Sequence, residues 1–204
     1  SVGVFTKIAE LTQKYDVGYH EFVEANPGLN MDKLHVGNDL LVPGRFILPV
    51  AKRKGIVINL PEMRLYYFDT DNHEIVTFPV GIGKIGWATP LGKTQITNKK
   101  LNPTWRPTRS VKKDFFKKNG FELPNSFPPG PENPLGHYAM RLGFPNYLIH
   151  GTNDPAGVGK RVSAGCVRMF NEDVGYLFEL VTLGTPVNIV NQPYEAGWQG
   201  RTLF

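Results

Sequence analysis

A lone cysteine, Cys166, stands in the run Ser163-Ala164-Gly165-Cys166-Val167-Arg168-Met169, and sixteen positions before it the apolar stretch Tyr147-Leu148-Ile149 runs into His150-Gly151-Thr152. A cysteine attacks as its thiolate, and a nearby imidazole is the side chain best suited to take the proton near neutrality. Pro155 and the glycines at 151, 157, 159 and 165 let the intervening chain form a compact loop that returns Cys166 to His150. His150 is then the general base, and a strand-end carbonyl such as that of Gly151 can hold its tautomer without a carboxylate. Gly165 permits an unusual backbone, so amide groups near Gly165 and Cys166 can line an oxyanion hole. Arg168 shares the strand face of Cys166 and can bind a substrate carboxylate or assist the thiolate. Each residue alone has an ordinary explanation: a buried thiol, a hydrogen-bonded strand-end histidine, a surface ion-pair partner. Together they point to nucleophilic catalysis. With one cysteine there is no intramolecular disulfide and no cysteine-based zinc site. His20, His35, His73 and His137 lack metal-ligand spacing, and only His137, beside Tyr138, is placed to approach the pair. No metal and no cofactor is expected.

Such a pair works only if its surroundings hold it. Residues 55–60 and 63–69 read as strands split by Pro61-Glu62, and 74–80 as a third, each rich in Val, Ile, Tyr or Phe. Gly81-Ile82-Gly83 and Thr89-Pro90-Leu91-Gly92 are turns. Further strands fall at 93–97, 138–142, 146–150 and 185–190. One helix is predicted over 172–183, with Asn171 as N-cap, Glu172 and Asp173 in the first turn, an apolar stripe of Val174, Leu177, Phe178 and Val181, and Gly184 beyond it. Residues 98–135 are dense in Pro, Asn and Lys, with helical potential only at 111–118; a loop of that length in a compact domain suits a lid.

The first 49 residues differ in character. Phe5, Ile8, Ala9 and Leu11, then Tyr19, Phe22 and Val23, fall at helical spacing, followed by the turn Asn26-Pro27-Gly28 and a short strand expected at 39–42. Pro43-Gly44 and Pro49 read as a linker. The head holds 4 Lys+Arg against 6 Asp+Glu, the remainder 19 against 12. Within 93–118 nine basic residues face one acid, Asp114, a balance that favours an anionic partner. No helix-turn-helix, zinc-finger or RRM pattern surrounds that stretch, which argues against nucleic acid. No apolar run approaches the roughly 20 residues of a bilayer span. Beginning at Ser1 without Met or a signal-like segment, the chain reads as a mature or trimmed protein.

The runs Lys7-Ile8-Ala9, Tyr15-Asp16-Val17, Glu24-Ala25-Asn26-Pro27-Gly28-Leu29, Val36-Gly37 and Leu40-Leu41-Val42-Pro43 resemble a LysM module with its opening strand missing upstream of Ser1. That resemblance implies a small α+β unit over 1–49 that recognises N-acetylglucosamine-containing glycan. His150-Gly151-Thr152 and Ser163-Ala164-Gly165-Cys166-Val167-Arg168 resemble the signature of YkuD-type L,D-transpeptidases of the ErfK/YbiS branch. The likeness extends through Gly55-Ile56-Val57-Ile58-Asn59-Leu60, Arg64-Leu65-Tyr66-Tyr67-Phe68, Thr89-Pro90, Asn102-Pro103-Thr104-Trp105 and Asn133-Pro134-Leu135-Gly136. Many members carry a second histidine before the Gly-Cys pair; here that place is Ala164. The resemblance implies a mainly β catalytic domain over 50–190, a β-sandwich with one prominent helix and a long lid loop, and a C-terminal tail over 191–204. It implies Cys166 as nucleophile, His150 as base and acid, Gly151 as the backbone orienter, and Ser163, Ala164, Gly165, Arg168 and Tyr138 as oxyanion or substrate positions. The implied substrate is a peptidoglycan tetrapeptide stem, and the acceptor another stem or a lysine of an outer-membrane lipoprotein, at the periplasmic or cell-wall face of a bacterium. Water as acceptor would make an L,D-carboxypeptidase. Two other readings remain open: a non-catalytic wall-binding scaffold, and a cysteine peptidase acting on ordinary L,L-peptides.

Overall fold

A computed structural model of the chain describes residues 8–35 and 37–203. Phe5, Lys7 and Val36, used above, lie outside them. Helix α1 (Ile8–Tyr15) and helix α2 (Tyr19–Ala25) meet over a small core of Leu11, Val17, Phe22, Met31 and Leu34. The strand expected at 39–42 does not form. Asn26 takes that backbone instead: its amide donates to Leu41 O at 2.8 Å and accepts from Leu41 N–H at 2.7 Å, a side-chain substitute for a ladder partner.

The body opens with a meander of β1 (Gly55–Asn59), β2 (Arg64–Asp69) and β3 (Glu74–Pro79). Every residue of β1 is buried, as in a strand covered on both faces. Then come β4 (Ile82–Gly83), β5 (Gly92–Leu101), helix α3 (Arg109–Asn119), β6 (Tyr138–Leu142), β7 (Leu148–His150), β8 (Arg161–Ser163), β9 (Val167–Arg168), helix α4 (Asn171–Leu180) and β10 (Pro186–Val190). Eight strands form one sheet in the order β3-β2-β1-β10-β5-β6-β7-β9, parallel at β1–β10 and β7–β9 and antiparallel elsewhere. A register shift in β5 between Ile96 and Asn98 marks the passage from one half of the sheet to the other. Both halves and α4 share one core, from Ile56, Ile58 and Leu65 to Met140, Ile149 and Val174. The two layers of the mainly β body are therefore one curled, continuous sheet. The hairpin of β11 (Trp198–Gln199) and β12 (Thr202–Leu203) follows it.

Besides the strand at 39–42 and the turn expected at 81–83, where Ile82 and Gly83 instead form β4 and pair with β8, three sequence expectations change. First, β5 continues through Asn98-Lys99-Lys100 into the stretch read as loop. Lys99 repays a polar strand by lying over the Phe178 ring and donating to Val181 O at 2.7 Å, where it caps the C-terminal end of α4. Second, α3 is as long as α4, so the body has two helices of similar length rather than one prominent one. Third, the N-cap of α4 is Phe170, because the Asn171 side chain is engaged elsewhere.

The head is bound to the body through a buried ion pair. Arg64 on β2 is almost wholly buried, and its Nε and Nη2 donate to the two Glu21 oxygens at 2.5 and 2.9 Å. Phe46 covers the guanidinium at 3.6 Å, and the Glu21 carboxylate also accepts from Gly18 N–H at 2.8 Å. The start of α2 meets the chain between β7 and β8: Tyr19 N–H donates to Val158 O and His20 N–H to Gly159 O, both at 3.3 Å. The tail is tied down as well, since Gln192 exchanges two hydrogen bonds with the Val50 backbone. Among the described residues no helix is long and apolar enough to cross a membrane.

Removing one member of a buried bidentate pair leaves an uncompensated charge, so Glu21→Gln should cost about 3 kcal/mol in urea unfolding. A loss under about 1 kcal/mol would mean that water already solvates Arg64.

Candidate active site

Parallel pairing of β7 with β9 sets Ile149 beside Val167 and His150 beside Arg168. Side chains two apart on a strand share a face, so Cys166, just before β9, joins His150 and Arg168. All three line a cleft of about 840 Å³. Its walls carry Trp87, Trp105, Phe115 and Tyr147, with Lys84, Lys100, Arg106, Lys118 and Arg141 supplying positive charge.

His150 is buried, and its Nδ1 lies 2.6 Å from Gly151 O. A carbonyl only accepts, so Nδ1 carries the proton and Nε2 keeps its lone pair. Burial, helped by the Arg168 charge and opposed by the Gly151 bond, pushes the imidazole pKa down to about 4. Burial likewise pushes the Cys166 thiol up, against the pull of the Leu148 backbone and the Arg141 and Arg168 charges. Thiol and imidazole therefore rest neutral around pH 7. The half-buried thiol points to Asn146 O at 3.6 Å. Asn146 is itself in the left-handed region, at φ 68°.

The turn before Cys166 is closed by its own residues. Ser163 Oγ donates to Cys166 O at 2.6 Å and accepts from Gly165 N–H at 3.1 Å. Gly165 has φ 104°, and a Cβ there would stand 2.7 Å from the Tyr147 ring, so only glycine fits. Ala164 lines the cleft. Arg168 exchanges backbone bonds with Gly81, its Nη1 reaches Asp154 Oδ2 at 3.5 Å, and its buried Nε has no partner among the described residues. A guanidinium in that condition can receive an anion.

Two expectations about the site change. The Tyr138 ring packs on Phe178 and against Gly175, on the α4 side, and the next residue, Ala139, faces the cleft instead. His137 is exposed and pairs with Asn102 outside the cleft. Sequence reasoning missed Asn171, whose amide donates to Thr152 O at 2.8 Å and accepts from Thr152 N–H at 3.2 Å, bracing the turn after His150. Its place at a helix start was legible, but not the segment it would reach. The stretch between β5 and β6 contributes α3, which buries no residue of its own and is capped by Thr108 at one end and left-handed Gly120 at the other. It is pinned across the cleft by Lys84 to Asp114, 2.8 Å apart.

Comparison with known proteins gives a consistent picture. Residues 53–189 match the family model YkuD, the L,D-transpeptidase catalytic domain. The chain is 43% identical over 187 residues to the Escherichia coli protein described as "Probable L,D-transpeptidase YcfS", a match that takes in 90% of this chain and 58% of that protein. It is 44% identical over 181 residues to the E. coli "Probable L,D-transpeptidase ErfK/SrfK", taking in 88% of this chain and 58% of that one. The chain thus spans just under three fifths of the length of these relatives. An L,D-transpeptidase structure from Mycobacterium smegmatis superimposes with a TM-score of 0.52 at 16% identity, covering 68% of this chain and 58% of that one, a likeness of fold.

Because the protein has a single cysteine, iodoacetamide reports on Cys166 alone. A neutral resting pair predicts slow alkylation at pH 7, rising with pH to a midpoint above the ordinary 9.0 of a thiol. A fast plateau below neutrality, the mark of a thiolate–imidazolium pair, would contradict it.

Proposed function

The chain belongs to the YkuD family of L,D-transpeptidase catalytic domains, and from that membership and the cleft we propose that it is a cysteine acyltransferase acting on peptidoglycan. The observation that carries the reading is the one-sided His150: Nδ1 is committed to Gly151 O at 2.6 Å, which leaves Nε2 as base on the face shared with Cys166. The substrate is the tetrapeptide stem, attacked at the amide between its third-position diamino acid and terminal D-alanine.

The steps follow from the groups present. The thiol turns from Asn146 O, and His150 Nε2 takes its proton as sulfur bonds to the carbonyl carbon. The carbonyl π electrons move to oxygen, to which a free amide N–H of the 163–166 turn donates a hydrogen bond. Collapse breaks the carbon–nitrogen bond, and the imidazolium returns its proton to the leaving amine, so D-alanine departs and a thioester remains. An amine then attacks the thioester carbon and gives a proton to His150; the carbon–sulfur bond breaks, and the imidazolium returns that proton to the departing thiolate, restoring the free thiol. A resting imidazole near pKa 4 remains a competent base through the neutral range. Lys100, Arg106, Lys118 and Arg141 suit the free carboxylates of the stems. Glycan held by the 1–49 unit would bring stems to the cleft from the cell-wall or periplasmic face. The amine is another stem's diamino acid or a lysine of an outer-membrane lipoprotein.

Intact-protein mass spectrometry with a disaccharide-tetrapeptide tests this. Wild type should release D-alanine and carry an acyl adduct, Cys166→Ala should do neither, and His150→Ala should be slower by about 10²- to 10⁴-fold. Adding a lysine peptide names the acceptor through the product formed, with hydrolysis alone marking a carboxypeptidase. Folded wild type that gives no adduct and no D-alanine would leave the wall-binding scaffold as the better reading.

A further inference from the structure

The turn that carries Cys166 hangs on a hydroxyl outside the cleft. Thr89 is buried, and its Oγ1 accepts from Gly83 N–H at 3.0 Å while donating to Gly165 O at 2.9 Å. One hydroxyl supplies both roles without conflict. The neighbourhood has no slack: a Cβ on Gly83 would stand 2.0 Å from Trp87 O and 3.1 Å from Gly165 Cα. Thr89 therefore bridges two backbone segments that touch, and one of them ends at the nucleophile.

The peptide between Gly165 and Cys166 is planar and trans, so its C=O and N–H point in opposite directions. With the carbonyl held against Thr89 in the wall, the Cys166 N–H is turned away from that wall, to the side where Ala164 and Cys166 line the cleft. Among the described residues no acceptor is bonded to that N–H. Ser163 takes the Gly165 N–H and the Cys166 carbonyl, so the flanking groups of the turn are engaged while this donor stays free.

Resting on the acyl-transfer reading, we infer that Thr89 is a positioning residue for the oxyanion hole: its hydroxyl fixes the Gly165–Cys166 peptide so that the Cys166 N–H meets the substrate oxygen as that oxygen becomes negative. When sulfur bonds to the carbonyl carbon, the π pair moves onto oxygen and the N–H donates a hydrogen bond to it; Thr89 exchanges no proton and touches no substrate. The inference separates two reactions at one sulfur. Acyl transfer makes an oxyanion, whereas alkylation by iodoacetamide displaces iodide from a saturated carbon and makes none.

The experiment compares Thr89→Val, Thr89→Ala and Thr89→Ser with wild type, each checked for a cooperative thermal transition, in D-alanine release from the disaccharide-tetrapeptide and in iodoacetamide alkylation. Loss of the hydroxyl in the valine and alanine variants should lower kcat about 10- to 100-fold, with KM and the alkylation rate within about twofold of wild type. Serine should restore kcat to within about threefold. Folded valine or alanine variants with wild-type kcat would overturn the inference, as would a parallel loss of alkylation, which a merely structural role predicts. If valine fails to fold, alanine carries the same comparison, and failure of both assigns the hydroxyl to stability and overturns the positioning role. Wild type that is alkylated yet releases no D-alanine defeats the acyl-transfer reading itself, and this inference with it.

Discussion

Two rungs of a parallel ladder, Ile149 with Val167 and His150 with Arg168, determine what the cleft can do. Strand side chains alternate, so a slip of one residue would turn Cys166 and Arg168 into the core and bring Val167 to the cleft. Parallel neighbours cannot be joined by a tight hairpin and need a long crossover. The glycine-punctuated stretch between His150 and Cys166 is that crossover. Asn171 braces its beginning, the start of α2 holds its middle, and β8 pairs its end with β4. The catalytic spacing and the strand geometry are thus one requirement expressed twice.

Electrostatics at the ladder favour restraint at rest. An imidazole beside a guanidinium in a buried place is costly to charge, and a half-buried thiol with a carbonyl to donate to is costly to ionise. Neutral thiol reacts slowly with oxidants and stray electrophiles. In the proposed acyl transfer, charge separation becomes favourable only when a carbonyl carbon accepts the sulfur and a fixed donor meets the resulting negative oxygen. Arg168 and Arg141, whose charges favour the thiolate against burial, would stabilise that anionic stage while leaving it unpopulated at rest.

Most strands of the body, the His150–Cys166 pair and the unusual backbone at Gly165 were readable from the residues, because each depends on periodicity or on local backbone freedom. What escaped depends on partners distant in sequence. The 39–42 strand failed because the Asn26 amide competes for its backbone, a side-chain bond that no propensity scale carries. The extension of β5 through two lysines was hidden because Lys99 owes its place to the end of a helix far along the chain. Tyr138 reads as a substrate position, but strand alternation sends it to α4 and Ala139 to the cleft. Asn171 read as a cap because its type and position suit one; the Thr152 backbone made a better claim on the same amide.

The buried Arg64–Glu21 pair changes the meaning of the boundary near residue 49. Composition suggests a head that could be traded between proteins like a bead on a string. Yet β2 carries a buried guanidinium whose direct ion-pair partner among the described residues is the head's Glu21 carboxylate, and a Phe46 ring from the connecting segment covers it. Recombination at that boundary would join a foreign head to a sheet with an orphaned positive charge in its flank. Heads and bodies of this kind should therefore be inherited as matched pairs, with Glu21 and Arg64 gained or lost together.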